Sequence, residues 1–242
     1  MYQFSSRVRY SEVNSEKILT LPALLDYLQD CCTFQSEELG VGVDYLADNH
    51  AAWVLSSWQI RICRYPEIGE QITVSTWPYD FKGFYGYRSF KVEGKEGELL
   101  AYANSLWVFM DTDTMRPVRI EKQMVDAYLP QMAEIIGTDW GNRKICVPEG
   151  GTAGEPIRVQ RCHIDTNHHV NNGKYVQMAE EFLPEDFEVG ELRVEYKKAA
   201  VLGDVLTPVS CVDENQVTVT LADEAGKTCA IVQFEKGARR EK

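Results

Sequence analysis

His163-Ile164-Asp165-Thr166-Asn167-His168-His169-Val170-Asn171-Asn172-Gly173-Lys174-Tyr175 gathers three of the chain's four histidines into thirteen residues. An acid, amides and imidazoles converge here, and a helix is expected to follow. Tyr175, Met178, Ala179 and Phe182 fall at i, i+3, i+4 and i+7, the stripe of an amphipathic helix lying on a core. Asn171 or Asn172 stands where that helix begins, and asparagine is a favoured N-cap. The same plan occurs earlier. Glu12-Val13-Asn14 precedes a helical stretch with Leu21, Leu24, Leu25 and Leu28 on one face. Matching Glu12 to Asp165 and Asn14 to Asn167 gives an offset of 153 residues (12 to 165) and puts Glu16 where the second half has His169. A repeat this long is a duplicated domain, not a solenoid.

Strands are expected after each helix. Ile72, Val74 and Thr76 alternate with Gln71, Thr73 and Ser75; Val217, Val219 and Leu221 alternate with Gln216, Thr218 and Thr220. Period two marks half-buried antiparallel strands. Glu93-Gly94-Lys95-Glu96-Gly97 and Asp223-Glu224-Ala225-Gly226 read as hairpin turns, and Ala101 to Met110 as a well-buried strand. Residues 111–156 read as connection, with a helix from Glu121 to Ile136 and then a Gly/Pro-rich run, Pro148 to Pro156, that marks a boundary. The expected organisation is therefore a first domain over 1–120, a linker with a helix over 121–156 and a second domain over 157–242. Each domain sets one helix on an antiparallel sheet, an α+β layer made twice.

Composition narrows the function. Hydrophobic residues make up 44% and charged residues 26% of 242, as in ordinary globular proteins. No stretch approaches the roughly 20 apolar residues of a membrane span, and Met1 to Arg7 lacks the apolar core of a signal peptide, so a cytoplasmic location and no membrane partner are expected. Seven scattered cysteines with no Cys-x-x-Cys read as reduced thiols. A net charge of −12 argues against nucleic-acid binding. Charge alone does not exclude an acidic partner, and Arg193 with Lys197 and Lys198, or Arg239 with Arg240, are candidates for a local basic patch. The plainer readings are a solvated strand face and a frayed tail, the latter preferred for the second pair.

Beyond these features the chain resembles acyl-acyl carrier protein thioesterases, plant and bacterial enzymes that release fatty acids from carrier protein. In the first half the resemblance rests on Trp53-Val54-Leu55, Arg64-Tyr65-Pro66, Gly69-Glu70, Thr76-Trp77 and Ser105 to Asp111. In the second it rests on Asp165-Thr166-Asn167-His168-His169-Val170-Asn171-Asn172-Gly173-Lys174-Tyr175 and Glu195-Tyr196-Lys197-Lys198. The resemblance implies a double hotdog fold, two tandem domains each with a long helix wrapped by a sheet. It also implies active-site positions at Asp165, Asn167 and His169, an acyl-chain pocket in the first half, and a partner, acyl carrier protein bearing a phosphopantetheine-linked acyl chain. One departure stands out. Plant members carry Glu-Cys four and five residues after the glutamate-tyrosine, where this chain has Ala199 and Ala200, and that glutamate is taken as catalytic.

Thioester hydrolysis needs a nucleophile, a proton acceptor and donors for the developing oxyanion. His169 suits proton acceptance from water, Asp165 orients or shares that proton, and Asn167 positions water or thioester through its amide. The helix start at Asn171 and Asn172 offers N–H groups and a positive dipole end for the oxyanion. Other readings stand beside this one. Asp-x-Asn before a helix is often only an Asx turn or cap. Cys162 beside His163 offers a covalent route. His163, Asp165, His168 and His169 match no tight zinc spacing, so neither metal nor cofactor is expected. A hotdog hydratase or dehydratase resembles Asp-x-Asn-Pro-x-His, whereas here His169 follows Asp165 by four places and no proline follows Asn167. A non-catalytic acyl-chain binder is the remaining rival, prompted by Ala199. Leu21, Leu24, Leu25, Leu28 and the Trp53 region are the pocket candidates, and monomer or homodimer both fit two halves already paired in one chain.

Overall fold

A computed structural model describes residues 1–137 and 140–237. The chain divides into two compact units, one of residues 1–56 and 63–139, the other of residues 57–62 and 140–242.

In the first unit, helix α1 (Leu21–Glu38) lies on an antiparallel sheet ordered β1 (Tyr2–Arg7), β3 (Gln71–Lys82), β4 (Tyr85–Gly94), β5 (Leu99–Asp111). Thr20 caps α1 by accepting from the Ala23 N–H, and a proline in the first turn suits a position whose N–H needs no partner. Leu21, Leu24, Leu25 and Leu28 are all buried, as their spacing requires. A short helix α2 (Val43–Asp48) leads into β2 (Ala51–Ile62). Strand β6 (Arg116–Pro117) pairs with β5, and helix α3 covers only Lys122–Tyr128. The expected helix to Ile136 stops there because Pro130 breaks it, leaving one 3-10 turn, Leu129–Gln131.

The half-buried reading of β3 is also corrected. Ser75 and Trp77, on the face turned from α1, are buried too. Residues 133–136 cover that face: Trp77 Nε1 donates to the Glu134 carbonyl (2.7 Å) and the Ile136 N–H donates to Ser89 Oγ (3.2 Å). On the helix side lies a polar cluster that no periodicity announces. Arg88 is 8% exposed, donates to Gln35 and to Thr76 Oγ1 (3.1 Å), and stacks 5.4 Å over the Tyr128 ring.

In the second unit, the later part of β2 pairs with β9 (Val189–Tyr196), followed in order by β12 (Thr228–Lys236), β11 (Gln216–Ala222) and β10 (Val205–Val212). Strands β7 (Thr152–Ala153) and β8 (Ile157–Arg158) flank β10. Helix α4 (Asn172–Glu180) packs against β11 and β12. It is nine residues long, not the long helix expected, and ends before reaching Phe182. Pro184 disfavours helical backbone at Leu183, and the chain turns off through Phe182 N–H to Ala179 and Leu183 N–H to Glu180. Arg193 and Lys197 are engaged by Gln233 and Glu195, and Lys198 by Asp223. Arg239 and Arg240 lie outside the described residues. Each unit thus has the α+β layering expected of it, and all seven cysteines are free thiols.

Candidate active site

A 3-10 turn, Arg161–His163, delivers the chain to Ile164, which bridges Val170. Between them the loop folds on the Asp165 carboxylate. Asp165 Oδ1 accepts the Asn167 N–H (2.8 Å) and the His169 N–H (3.3 Å). The main chain closes the same loop, Asp165 N–H donating to the His169 carbonyl (2.9 Å) and His168 N–H to the Asp165 carbonyl (3.1 Å). His168 takes a left-handed φ of 62°, an uncommon conformation for a residue with a Cβ. The Asx turn is therefore real, and it draws Asp165, Asn167 and His169 into one loop. Asn167 is exposed while Asp165 and His169 are half-buried. Among the described residues, nothing hydrogen-bonds the His169 imidazole.

The helix start is partly used up by its own cap. Asn171 Oδ1 accepts the Gly173 N–H (2.8 Å), and the Asn171 carbonyl accepts the Lys174 N–H (2.9 Å). What α4 offers toward the loop is chiefly the positive end of its dipole. His163 faces away from acid–base work: its Nδ1 accepts the Gln160 N–H (3.1 Å). Burial, then the nearby Lys174 charge, holds its imidazole below the ordinary histidine value. Cys162 is exposed. Among the described residues no three of His, Cys, Asp and Glu are grouped to hold a metal ion.

The first unit contains the same loop, and it corrects the register of the repeat. Asn14 Oδ1 accepts the Glu16 N–H (3.0 Å) and the Ile18 N–H (3.2 Å), Asn14 N–H donates to the Ile18 carbonyl (3.0 Å), and Lys17 has φ 66°. Helix α1 begins at Leu21 where α4 begins at Asn172, an offset of 151 residues (21 to 172). Asn14 therefore occupies the place of Asp165, Glu16 that of Asn167, and Ile18 that of His169. The match of Glu12 to Asp165 fails because the turn needs an acceptor at fixed reach. Asn and Asp provide it, and glutamate, one methylene longer, does not.

Residues 1–128 match the acyl-ACP thioesterase N-terminal domain, and residues 150–235 the acyl-ACP thioesterase C-terminal domain. The chain belongs to the acyl-ACP thioesterase family. It is 26% identical over 228 residues to the acyl-[acyl-carrier-protein] hydrolase FATB1 of Cuphea viscosissima, covering 88% of this chain and 54% of that protein. It is 26% identical over 219 residues to the oleoyl-acyl carrier protein thioesterase 1 of Arabidopsis thaliana, covering 82% of this chain and 60% of that protein. Among solved structures, an acyl-ACP thioesterase from Bacteroides thetaiotaomicron superposes with a TM-score of 0.87 at 22% identity, covering 97% of both chains. The 12:0-ACP thioesterase of Umbellularia californica gives 0.87 at 21%, covering 98% of this chain and 97% of that one. The fold is theirs, the hotdog type. This chain spans little more than half the length of the two plant proteins.

Within this acyl-ACP thioesterase family fold, Ala199 is exposed, one residue before Ala200, whose carbonyl accepts the Val170 N–H (2.9 Å). The position where resemblance sets a glutamate thus adjoins the residue that holds the histidine loop, and here it carries no carboxyl. Of the pocket candidates, the four leucines are core, and Trp53 packs on Phe109 at 4.8 Å. The Trp53 ring also lies 2.9 Å from where a Cβ at Gly86 would stand, so only glycine fits there. The sequence places Tyr175 in an apolar stripe and at the end of the string that carries the resemblance, and neither gives its hydroxyl a partner. Its hydroxyl accepts the Ala200 N–H (2.9 Å).

Proposed function

We propose that the chain hydrolyses the thioester of fatty acyl-acyl carrier protein to release free fatty acid, with the chemistry in the second unit. The observation that carries this reading is the contrast between the two loops. The first unit closes its loop with a neutral Asn14 and has Ile18 in the imidazole's place; the second closes the same loop with a carboxylate and supplies His169. Since asparagine suffices for the turn, a negative charge there is not required by the fold.

In this mechanism His169 takes a proton from water as the water oxygen attacks the thioester carbonyl carbon. Asp165 orients that imidazole or the water, and its charge favours the imidazolium that forms. The exposed carboxamide of Asn167 donates to the carbonyl oxygen as it gains charge, with the dipole of α4 behind Asn171 and Asn172 adding to the field. Collapse of the tetrahedral adduct expels the phosphopantetheine thiolate, which takes the proton back from His169. The first unit, lacking this set, accommodates the acyl chain. No helix among the described residues is long and apolar enough to cross a membrane.

The test is hydrolysis of a panel of acyl-carrier proteins of graded chain length, read as fatty acid released. His169→Ala is expected to abolish turnover while the circular dichroism spectrum is kept. A wild-type rate in that variant overturns the assignment.

A further inference from the structure

We propose that the Tyr175 hydroxyl is a positioning group for His169, acting through Ala200. The inference rests on the reading of His169 given above. Tyr175 is 2% exposed and Ala200 is fully buried. The Ala200 N–H donates to the tyrosine oxygen at 2.9 Å, and the Ala200 carbonyl accepts the N–H of Val170, the residue after His169, at 2.9 Å. Two bonds thus run from the first turn of α4, across the 199–200 segment, to the backbone that carries the imidazole. The Tyr175 ring is braced in turn, edge-on to Tyr196 at 5.9 Å, and the Tyr196 hydroxyl donates to the Asn172 carbonyl (3.0 Å). Burial pushes the Tyr175 hydroxyl up to about 12, so it stays neutral.

The first unit shows that the fold does not need this tether. There the Pro66 carbonyl accepts the Leu19 N–H at 2.8 Å, the counterpart of Ala200 and Val170. Proline has no N–H to satisfy. The helical position matching Tyr175 under the offset of 151 residues is Leu24, which is buried and has no acceptor to offer. One copy joins loop and sheet with Leu and Pro; the other uses a donor and a hydroxyl at the same two places. The polar pair occurs only where the imidazole does. Without it, a buried N–H loses its partner and the 199–200 segment is no longer fixed against Val170.

The experiment is a double-mutant cycle on the intact chain with acyl-carrier protein as substrate. Tyr175→Phe is expected to fold, to lower kcat by about 10- to 100-fold, the scale of a displacement of about 1 Å at a reacting group, and to leave KM unchanged. On an Ala200→Pro background the donor is gone, and phenylalanine and tyrosine at position 175 are expected to give the same kcat. Wild-type kcat in Tyr175→Phe overturns the proposal. So does an equal loss on the proline background, which would mean that the hydroxyl acts without Ala200. If Tyr175→Phe does not fold, the first unit's own pair, Tyr175→Leu with Ala200→Pro, is measured instead: slower turnover supports the tether, and wild-type kcat overturns it. His169→Ala separates the two readings. Turnover retained there removes the role of His169 itself, whereas an inactive His169→Ala beside a wild-type Tyr175→Phe removes only the tether.

Discussion

Asparagine at position 165 separates the turn from the charge. The loop needs an oxygen that accepts the amides of Asn167 and His169, now held at 2.8 and 3.3 Å by Asp165 Oδ1. Asn14 does the same work in the first unit at 3.0 and 3.2 Å. Asp165→Asn is therefore expected to keep stability within about 0.5 kcal/mol, the range of a substitution that disturbs no packing or bonding. Asp165→Ala deletes the acceptor and strands two amides at a half-buried site, a loss like that of a helix cap, about 1–2 kcal/mol. For a chain of this size each kcal/mol lowers the melting temperature by roughly 2–4 °C. Catalysis follows the other pattern, because both variants lose the carboxylate. Loss of a positioned acid–base partner costs about 10²- to 10⁴-fold in kcat. The assay pairs urea unfolding with fatty acid release for the two purified variants. Asparagine should give a near-wild-type melt with a collapsed rate, and alanine a collapsed rate with a lower melt. Wild-type turnover in Asp165→Asn refutes the reasoning, since the carboxylate would then be a turn acceptor and nothing more.

Burial, with the charge of Glu181 added, lifts the Glu180 carboxyl to about 7. The folded state then holds a proton that the unfolded chain releases, so stability falls as pH rises from the ordinary glutamate value of about 4.3 toward that point. Glu180→Gln is expected to be more stable than wild type at pH 8, with the gain gone by pH 4 in urea titrations. Gln35→Ala leaves the buried Arg88 guanidinium with the Thr76 hydroxyl and the Tyr128 ring. The expected loss is about 1.5–3 kcal/mol by urea unfolding, the worth of a hydrogen bond to a charged group. Cys162→Ala is expected to keep full fatty acid release, and loss of activity there would revive a covalent route. Ala199→Glu, at an exposed position, is expected to fold normally and to keep stability within about 0.5 kcal/mol by urea unfolding.

Local signals were legible in the sequence, and those set by distant partners were not. The burial of the four α1 leucines and of Val217, Val219 and Leu221 follows from spacing alone, as do the two hairpin turns and the Asp165 loop, but Thr218 of β11 is buried as well. Residue type misled where geometry decides: Glu-x-Asn and Asp-x-Asn look alike, yet only a short side chain closes the turn, so the true offset is two residues less than the one read. Burial of Ser75 and Trp77 depends on residues 133–136 lying across β3, far along the chain. The Arg88 cluster joins α1, β3, β4 and the segment after β6, four places that no local window contains. In the candidate site the three residues of the histidine loop were readable because they fall within five positions. Tyr175 was half readable: its place in the stripe gave its burial, but not its hydroxyl's partner in the turn after β9.

The junction of loop and helix shows where the second copy gave up stability. Helix α1 starts with a threonine cap, a buried Leu21 and Pro22, a sequence suited to a first turn. Helix α4 starts with Asn171, Asn172 and Gly173. Asparagine and glycine are weaker helix formers than alanine. That concession falls on a helix of nine residues, too short to hold itself and dependent on the burial of Tyr175, Val176 and Ala179. Its dipole end faces the loop that bears Asp165 and His169, and no comparable concession is made in the first copy, whose loop has the same hydrogen bonds. Departures from the most stable choice cluster where a site is built. The two loops share their geometry, so the geometry alone is not the function; the proposed chemistry rests on the side chains that only the second copy carries.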